Sequence, residues 1–329
     1  MAEPPKFIRE RLRLSLMDAV AALLDGPRAR EAFLLRSSMN PPWSMRIQDE
    51  APLTIAAMVR GHAWVIPDAA EPVRLEKGDV AIMRGPDPYT VADDPTTRPD
   101  IVIHSGQQCT NLGGEELVDT MSLGVRTWGN ALQGDTAILT GSYQMEGEVS
   151  QRLLRTLPAL LVLTDDEWDS PIVPLLAEEI VKDDPGQEAV LDRLLDLLLI
   201  AVLRAWFARP EARAPGWYRA YGDPVVGHAL RLLHHNPAHP WTVAELARET
   251  GSSRAALARR FNELVGEPPM SFLTGWRIAL AADLLLEPGA TIGAVAAEVG
   301  YSTPFALSAA FKRVRGVSPQ VHRTLARAG

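Results

Sequence analysis

The sequence predicts an α+β chain of two domains: an N-terminal β-barrel with accompanying helices, and a C-terminal all-α domain with a duplicated helix-turn-helix. Short β-type runs are confined to residues 33–143, and helical periodicity dominates from residue 151 onward. The segment 242–251 then recurs as 291–300, at a fixed offset of 49 residues. A hydrophobic content of 47% over 329 residues supports two cored domains and excludes a disordered chain.

Cysteine content and hydropathy exclude several classes of protein. Cys109 is the single cysteine, which excludes an internal disulfide framework and a cysteine-based zinc cluster and is typical of a reducing cytosol. The most hydrophobic run, residues 197–203, has seven residues, whereas a bilayer span needs about 20. The N-terminus alternates charged and apolar residues, unlike a signal peptide. We therefore expect a cytoplasmic protein without membrane contact.

Charge is divided unevenly along the chain. The net charge is −8, yet residues 223–329 contain 11 Lys and Arg against 8 Asp and Glu. Residues 1–222 contain the remaining 22 basic and 33 acidic side chains. The acidity therefore belongs to the N-terminal part, and the C-terminal part is the one that suits a polyanionic partner.

The N-terminal domain is predicted over residues 1–150. Residues 1–30 have helical character, and the strand-like runs that follow are "LTIAAMVR", "AWVI", "DVAIMR", "DIVIH" and "TAILTGSY". Turn sequences rich in Gly, Pro and Asp separate them, such as "RGPDPY" and "ADDPTTRPD". Many short strands with such turns indicate a sandwich or a barrel.

Two helices are predicted between residues 151 and 209, in "SPIVPLLAEEIVKDD" and "GQEAVLDRLLDLLLIAVLRAWFARP". The second is apolar on all sides over 197–203, so it is either a core helix or one whose burial a second copy completes. We expect it to contribute to a homodimer, because one flanking layer would not cover the apolar stretch. The candidate interface residues are Leu191, Leu195, Leu198, Val202 and Trp206. Residues 210–222, rich in Pro and Gly, are expected to be a linker before a domain at 223–329.

The duplicated segment begins with the pattern of a helix-turn-helix. Thr242 and Glu245 form a capping-box sequence ahead of a short helix that ends near Gly251. Ser253 can cap the helix that follows. The apolar face of that helix comprises Leu257, Phe261 and Leu264. Three arginines lie on or beside its polar side: Arg254, Arg259 and Arg260.

The second copy, "TIGAVAAEVG", repeats the first helix and its glycine. Beyond the glycine, Leu257 and Phe261 correspond to Leu307 and Phe311. The segment "SFLTGWRIALAADLLLEP" between the copies is predicted to be a connecting helix. Two recognition helices on a stiff connector suit successive major-groove faces, which lie about 34 Å apart on one side of the duplex. The repeat therefore predicts a DNA-binding domain.

Two runs now identify a family. "WTVAELARETGSSRAALARRFNELVGEPPMSFLTGWRIALAADLLL" followed by "IGAVAAEVGYSTPFALSAAFKRVRGVSP" resembles the double helix-turn-helix domain of AraC-type transcriptional regulators. "VRLEKGDVAIMRGPDPYTVADDP" resembles, more weakly, the cupin-type effector domain of one AraC subgroup. The resemblance implies a dimeric bacterial regulator that binds double-stranded promoter DNA, contacts RNA polymerase and senses a small organic effector through its N-terminal domain.

The resemblance also implies roles on the first recognition helix. Arg259 occupies the position from which that helix presents an arginine to base edges, and guanine is the commonest target of such a contact. Arg254 and Arg260 would instead bind phosphates. The candidate DNA-contacting residues of this copy are Ser253, Arg254, Ala255, Ala258, Arg259 and Arg260.

The second recognition helix differs from this pattern. Ala309 stands where the first copy has Arg259, so few polar groups are available for base contacts. We expect contacts to the DNA backbone from this helix, with Phe305 against a thymine methyl group. The candidate residues of this copy are Thr303, Phe305, Ser308, Lys312 and Arg313.

A metal-binding cupin needs about three histidines and a carboxylate inside the barrel. Residues 1–222 contain only His62 and His104, and Tyr89 stands where a metal cupin has its last histidine. We therefore expect no metal, no cofactor and no enzyme, the alternative being a metal-free ligand-binding cupin, or a cupin enzyme, with a helical assembly tail. The candidate effector-binding residues are Trp43, His62, Trp64, Tyr89 and His104, for each of which packed core or plain surface is the competing interpretation.

Overall fold

The computed structural model describes residues 33–143, 151, 154–168, 170–209, 212 and 214–326. The predicted N-terminal helix over residues 1–30 lies outside these ranges. The described chain forms two compact units. We call residues 33–143 and 154–212 the barrel unit, and residues 214–326 the helical unit.

The barrel unit contains two sheets. Its strands are β1 (Phe33–Met39), β2 (Ser44–Gln48), β3 (Leu53–Arg60), β4 (His62–Pro67), β5 (Val73–Glu76), β6 (Val80–Arg84), β7 (Tyr89–Ala92), β8 (Ile101–His104), β9 (Cys109–Asn111), β10 (Ser122–Gly124), β11 (Thr127–Gly129), β12 (Thr136–Tyr143) and β13 (Leu160–Leu163). The order is β10-β11-β1-β12-β3-β6-β13 in one sheet and β5-β4-β7-β2-β8-β9 in the other. The predicted strands "LTIAAMVR" and "TAILTGSY" coincide with β3 and β12 and pair antiparallel.

The barrel unit continues beyond the predicted boundary at residue 150. Strand β13 pairs antiparallel with β6, from Leu160 opposite Met83 to Leu163 opposite Val80. Four apolar residues are too few for periodicity to separate a strand from a buried helix segment, so the sequence did not reveal this strand. Two helices follow, α1 (Ile172–Glu179) and α2 (Gln187–Ala208).

Helix α2 lies directly on the seven-stranded sheet. The Tyr143 hydroxyl donates to the carbonyl of Leu195 over 2.9 Å. A Cβ at Gly141 would lie 2.7 Å from Cδ1 of Leu195, so the helix approaches β12 at a point where only glycine leaves room. The buried residues of α2 are apolar except for Gln187 in its first turn.

The predicted dimer contacts on α2 are therefore wrong for four of their five residues. Leu191, Leu195, Leu198 and Val202 are at most 2% exposed, because the barrel unit of the same chain covers them. Trp206 is half-buried, with the Arg209 guanidinium 5.1 Å from its ring centroid. The apolar stretch is thus a core helix, as the competing interpretation held.

The helical unit contains eight helices within residues 214–326. They are α3 (Gly216–Ala220), α4 (Val226–His235), α5 (Val243–Glu249), α6 (Arg254–Val265), α7 (Pro269–Leu284), α8 (Ile292–Glu298), α9 (Pro304–Arg315) and α10 (Pro319–Ala326). Helix α3 lies inside the segment expected to be a linker, and it packs on the end of α6, where a Cβ at Gly216 would come within 2.7 Å of the Leu264 carbonyl oxygen. The helical unit thus begins before residue 223.

Helix α7 joins two hydrophobic cores. The first core includes Leu246, Leu257, Phe261, Phe272 and Leu273. The second includes Ile278, Leu285, Val295, Leu307 and Phe311. Because α7 contributes side chains to both, it fixes the two helix-turn-helix motifs to one 16-residue connector, about 24 Å long. Leu264, predicted to face inward, is 37% exposed, and Val265 packs against the first core instead.

Candidate DNA-recognition helices and barrel cavity

The first motif consists of α5, a turn at Gly251 and α6. The Thr242 hydroxyl accepts from the Glu245 N–H over 3.1 Å, and the Ser253 hydroxyl accepts from the Ala256 N–H over 3.2 Å. Gly251 has a φ of 64°, a left-handed conformation that glycine adopts without strain. These contacts confirm Thr242 and Ser253 as caps and fix where α6 begins. The predicted capping box is only half formed, because the Glu245 carboxylate lies 2.9 Å from Nε2 of His239 instead of accepting from the Thr242 N–H.

The second motif, α8 and α9, repeats this geometry. Thr291 and Thr303 cap the two helices by accepting from the N–H groups of Ala294 and Ala306, each over 3.1 Å. Gly300 has a φ of 82°, and a Cβ there would lie 2.4 Å from the carbonyl oxygen of Ala238. The two motifs therefore share their caps, their turn glycine and their buried residues.

The outer surface of α6 is basic at its N-terminal end, the part of a recognition helix that enters the major groove. Arg254, Ala255 and Arg259 are exposed, and Ala258 is half-buried. Arg254 is the first helical residue, where the helix dipole disfavours a positive charge. Its placement therefore does not serve helix stability. The Arg259 side chain is 76% exposed, with Nε 3.8 Å from Oε1 of Glu263.

Arg260 differs from its neighbours because it binds within the helical unit. Its Nε and Nη2 donate to Oδ2 of Asp223 over 2.8 and 2.5 Å, while Oδ1 of Asp223 accepts from the N–H groups of Val225 and Val226. Burial acts to raise the pKa of Asp223, but the hydrogen bonds from Arg260 and the two N–H groups outweigh it and hold that pKa below its ordinary value. Arg260 is thereby held against the start of α4; its side chain is still 53% exposed, and the predicted phosphate contact stays a prediction.

The outer surface of α9 is apolar at its N-terminal end and basic at its C-terminal end. Phe305 is 87% exposed, and Ser308 is half-buried. Lys312 and Arg313 are exposed in the last turn, where the helix dipole favours positive charge. Helix stability and phosphate binding therefore favour the same placement.

A cavity of about 330 Å³ lies between the two sheets of the barrel unit. Its wall is mainly apolar and includes Leu35, Met45, Ile47, Ile103, Cys109 and Trp128. Polar groups also line it, among them Asp49, Thr54, Tyr89, Gln107 and Ser142. Such a mixture, apolar with a few polar groups, is typical of small-molecule sites.

Of the five predicted effector-binding residues, all within the described ranges, Tyr89 lines this cavity. Trp43 is 1% exposed in the core between the sheets. His62 and Trp64 lie on β4, away from the cavity wall. His104 lies 2.9 Å from the Thr110 hydroxyl and borders a separate depression beside Gln48. These four residues lie outside the wall of this cavity, and a role for them in effector binding stays a prediction.

The sequence contained a pattern that could have identified further cavity residues. Met45 and Ile47 on β2, and Asp49 directly after it, line the cavity at every second position, as the alternation of an extended chain requires. The predictions followed aromatic and histidine residues, but not this alternation.

The cupin fold raises the question of a metal, and the residues present do not fit one. Strand register places His62 opposite Glu76, and His104 opposite Gln48 at the other end of the same sheet. Within the described residues, no three His, Cys, Asp or Glu side chains group as metal ligands. We derive no metal chemistry for this site.

Burial raises the pKa of three groups in the cavity wall. It raises the pKa of the Cys109 thiol to about 11, so the thiolate is scarce at neutral pH. It also raises the pKa of Tyr89, with a further contribution from the charge of Asp49. Burial raises the pKa of Asp49 itself, opposed by hydrogen bonds from the Ala51 N–H and the Gln107 side chain. Tyr89 and Cys109 are therefore neutral in this cavity.

In the described part of the chain, no helix has the length and apolar character needed to cross a membrane.

Comparison with known proteins assigns both units. A family model described as Cupin matches residues 18–208, and one described as Helix-turn-helix domain matches residues 246–324. An AraC-like transcription regulator of Streptomyces lividans is 32% identical over 287 residues, which cover 85% of this chain and 90% of that protein. The regulator AlkR of Acinetobacter baylyi is 26% identical and covers 93% of this chain and 99% of its own. The DNA-binding domain of AdpA, solved with a target DNA, is 32% identical over 32% of this chain and 96% of that domain, with a TM-score of 0.31.

Proposed function

Since this chain belongs to the AraC-type transcription regulators and has a cupin domain ahead of its DNA-binding domain, we propose that a small organic effector in the barrel cavity controls how it binds promoter DNA. The observation that supports this most is the apolar cavity of about 330 Å³ with a few polar groups. We assign the cavity a sensing role rather than a catalytic one. An effector changes DNA binding only if it binds two conformations unequally, and a coupling of about 1–3 kcal/mol is typical.

The first motif is proposed to recognise base pairs. Arg259 is exposed and follows the capped N-terminal end of α6, so its guanidinium can donate to O6 and N7 of a guanine. Arg254 is proposed to bind a phosphate. The Ser253 hydroxyl accepts within the helix, yet its proton can still be donated to a phosphate oxygen.

The second motif is proposed to hold the DNA backbone. Lys312 and Arg313 lie in the last turn of α9, and the Thr303 hydroxyl has the same position as Ser253. Phe305 is the exposed apolar side chain that can contact a thymine methyl group. The asymmetry predicts strict base preference over the first half-site.

A homodimer is proposed through the outward face of α2 rather than its buried face. Val190 and Leu197 are 45% and 49% exposed, and Leu194 and Ala201 continue the same stripe at helical spacing. Leu197→Glu should yield monomers with a folded barrel, whereas Leu198→Glu should unfold it because Leu198 is 1% exposed. Light scattering and circular dichroism distinguish the two outcomes; a dimeric Leu197→Glu variant would exclude this face.

We also propose that the protein contacts RNA polymerase, in the bacterial cytoplasm.

The test of the function compares the full chain with a fragment that begins at residue 214. Both should bind promoter DNA with an affinity that falls linearly with salt on logarithmic axes. Transcription driven by the full chain should differ between inducing and non-inducing growth conditions, whereas the fragment should respond equally in both. Identical responses of the two proteins in every condition would refute control by the barrel unit.

A further inference from the structure

The cavity contains one carboxylate without a positively charged partner. Asp49 follows β2 and lines the wall beside Tyr89 and Gln107. Its Oδ1 accepts from the Ala51 N–H over 3.1 Å. In the described part of the chain, no Lys or Arg forms an ion pair with it, and none contributes to its pKa shift. A carboxylate that is partly removed from water and not neutralised favours a cation in the adjacent space.

The groups around Asp49 suit an organic ammonium in particular. Strand register places Tyr89 opposite Ile47, two residues before Asp49. Both side chains line the cavity, and the charge of Asp49 contributes to the raised pKa of Tyr89, so the aromatic side chain lies within electrostatic reach of the carboxylate. A carboxylate next to an aromatic ring is a recurring way to bind ammonium groups. The hydroxyls of Thr54 and Ser142, 3.2 Å apart on neighbouring strands, add acceptors for N–H donors.

The remaining wall suits an apolar body. Met45, Ile103, Cys109 and Trp128 belong to the same buried cluster or pack against it, and all line the cavity. The cavity volume lies near the lower end of the roughly 300–1,000 Å³ that small-molecule sites have. The space therefore fits a compact ligand with one cationic end.

Arg126 also lines the cavity and would favour an anion instead. It directly precedes β11, the strand next to the edge strand β10, and it is half-buried beside the exposed Val125. Both side chains are half-buried. Burial is, however, the largest cause of the raised pKa of Asp49, so its carboxylate is short of water and gains from a cation in the cavity. The cationic interpretation is therefore favoured.

We infer that the effector of this regulator is a small organic amine with an apolar or aromatic body, whose ammonium group pairs with Asp49 beside Tyr89. The inference rests on the proposed sensing role of the cavity and adds the chemical class of the ligand.

The test uses the full chain and three probes of one shape: 4-phenylbutylamine, 4-phenylbutanol and 4-phenylbutyrate. Calorimetry should show the amine binding about tenfold or more tightly than the alcohol, the usual scale for a charge-assisted hydrogen bond. Asp49→Asn, which keeps an oxygen for the Ala51 N–H, should remove that preference. Arg126→Gln and the exposed-site control Glu71→Gln should retain it.

Three results would overturn the inference: an amine no tighter than the alcohol, a preference that survives Asp49→Asn, or tightest binding of the carboxylate with loss in Arg126→Gln. Absence of binding by all three probes would overturn it as well. Circular dichroism checks that the variants are folded. DNA binding of the same samples without a probe tests the regulator separately, so failure of the ligand class and failure of the proposed function are distinguishable.

Discussion

Helices α6 and α9 have one internal design and two different surfaces. Both are 12 residues long, begin at a hydroxyl cap, end at a left-handed glycine and bury a leucine and a phenylalanine at equivalent positions. Their exposed positions differ throughout: Ala255 corresponds to Phe305, Arg259 to Ala309 and Glu263 to Arg313. The two copies thus share the caps, the terminal glycine and the buried residues, whereas their exposed side chains differ.

The difference teaches that a shared scaffold does not imply a shared task. The Arg259 guanidinium, at the middle of α6, can approach base edges, whereas the cations of α9 lie in its last turn. Base edges specify sequence, and phosphate contacts position the protein. The four predictions below test whether the two motifs are stabilised in the same way and whether they contact DNA differently.

The largest effect concerns the buried phenylalanines. Phe261 and Phe311 are both 0% exposed, one in each core. Phe261→Ala and Phe311→Ala should each lower the free energy of unfolding by about 3–5 kcal/mol, as cavity formation in a packed core does. Denaturant unfolding of the full chain, with hydrogen exchange in α6 and α9, measures this. A loss below about 1 kcal/mol for either variant would contradict equivalent scaffolds.

The next effect concerns base recognition by α6. Arg259→Ala should weaken binding to the specific site by about 1–3 kcal/mol and relax preference at one base position. Lys312→Ala is the matched control on α9, and it should weaken specific and random DNA alike. Fluorescence anisotropy on both DNAs distinguishes them. Equal weakening by Arg259→Ala on both DNAs would refute base recognition by this residue.

A smaller effect concerns Phe305. Its 87% exposure means that Phe305→Ala should leave unfolding unchanged. Loss of a thymine-methyl contact should weaken DNA binding at one position by about 1 kcal/mol, the scale of one buried methyl group. Replacing that thymine by uracil should weaken the wild-type protein equally and the variant no further. If no thymine shows this behaviour, Phe305 does not contact a methyl group.

The smallest effect concerns the Arg260–Asp223 pair, which has no counterpart on α9 because Ala310 occupies that position. The pKa of Asp223 is lowered in the folded state, so the pair contributes stability above the ordinary carboxyl pKa of about 4. That contribution is lost as the pH falls through the lowered pKa. Hydrogen exchange should therefore quicken in α6 before α9 on acidification, and Asp223→Asn should remove the difference. Simultaneous loss of protection in both helices would argue against it.

Local patterns in the sequence predicted the elements whose partners are near in the chain. Caps at Thr242 and Ser253, the turn glycine and the repeated core residues all follow from spacing within a few residues. Strands β3 and β12 follow from short, mainly apolar β-type runs separated by turn residues. Long-range partners could not be predicted in this way. The Arg260–Asp223 pair joins positions 37 residues apart, and Leu195 meets Gly141 across 54 positions. Patterns within a few residues of the sequence do not predict such contacts.

The candidate sites show the same limit. An apolar helix has one sequence pattern whether its own sheet or a second copy covers it, which is why Leu198 was placed at an interface. The sequence alone does not distinguish Trp43 from Trp128 as a cavity residue. In the structure, Trp128 lines the barrel cavity and Trp43 does not. The face of the sheet on which a side chain lies depends on the strand register. The register is set by pairing with strands that are distant in the sequence.

The central claim is that α6 recognises bases while α9 holds the backbone. A scan that changes each base pair of the bound promoter site and measures the affinity of the full chain tests it most directly. The account predicts losses of about 1–3 kcal/mol at several positions of the half-site bound by α6, and small losses over the half-site bound by α9 except at a thymine beside Phe305. Equally strict preference over both half-sites would contradict the account.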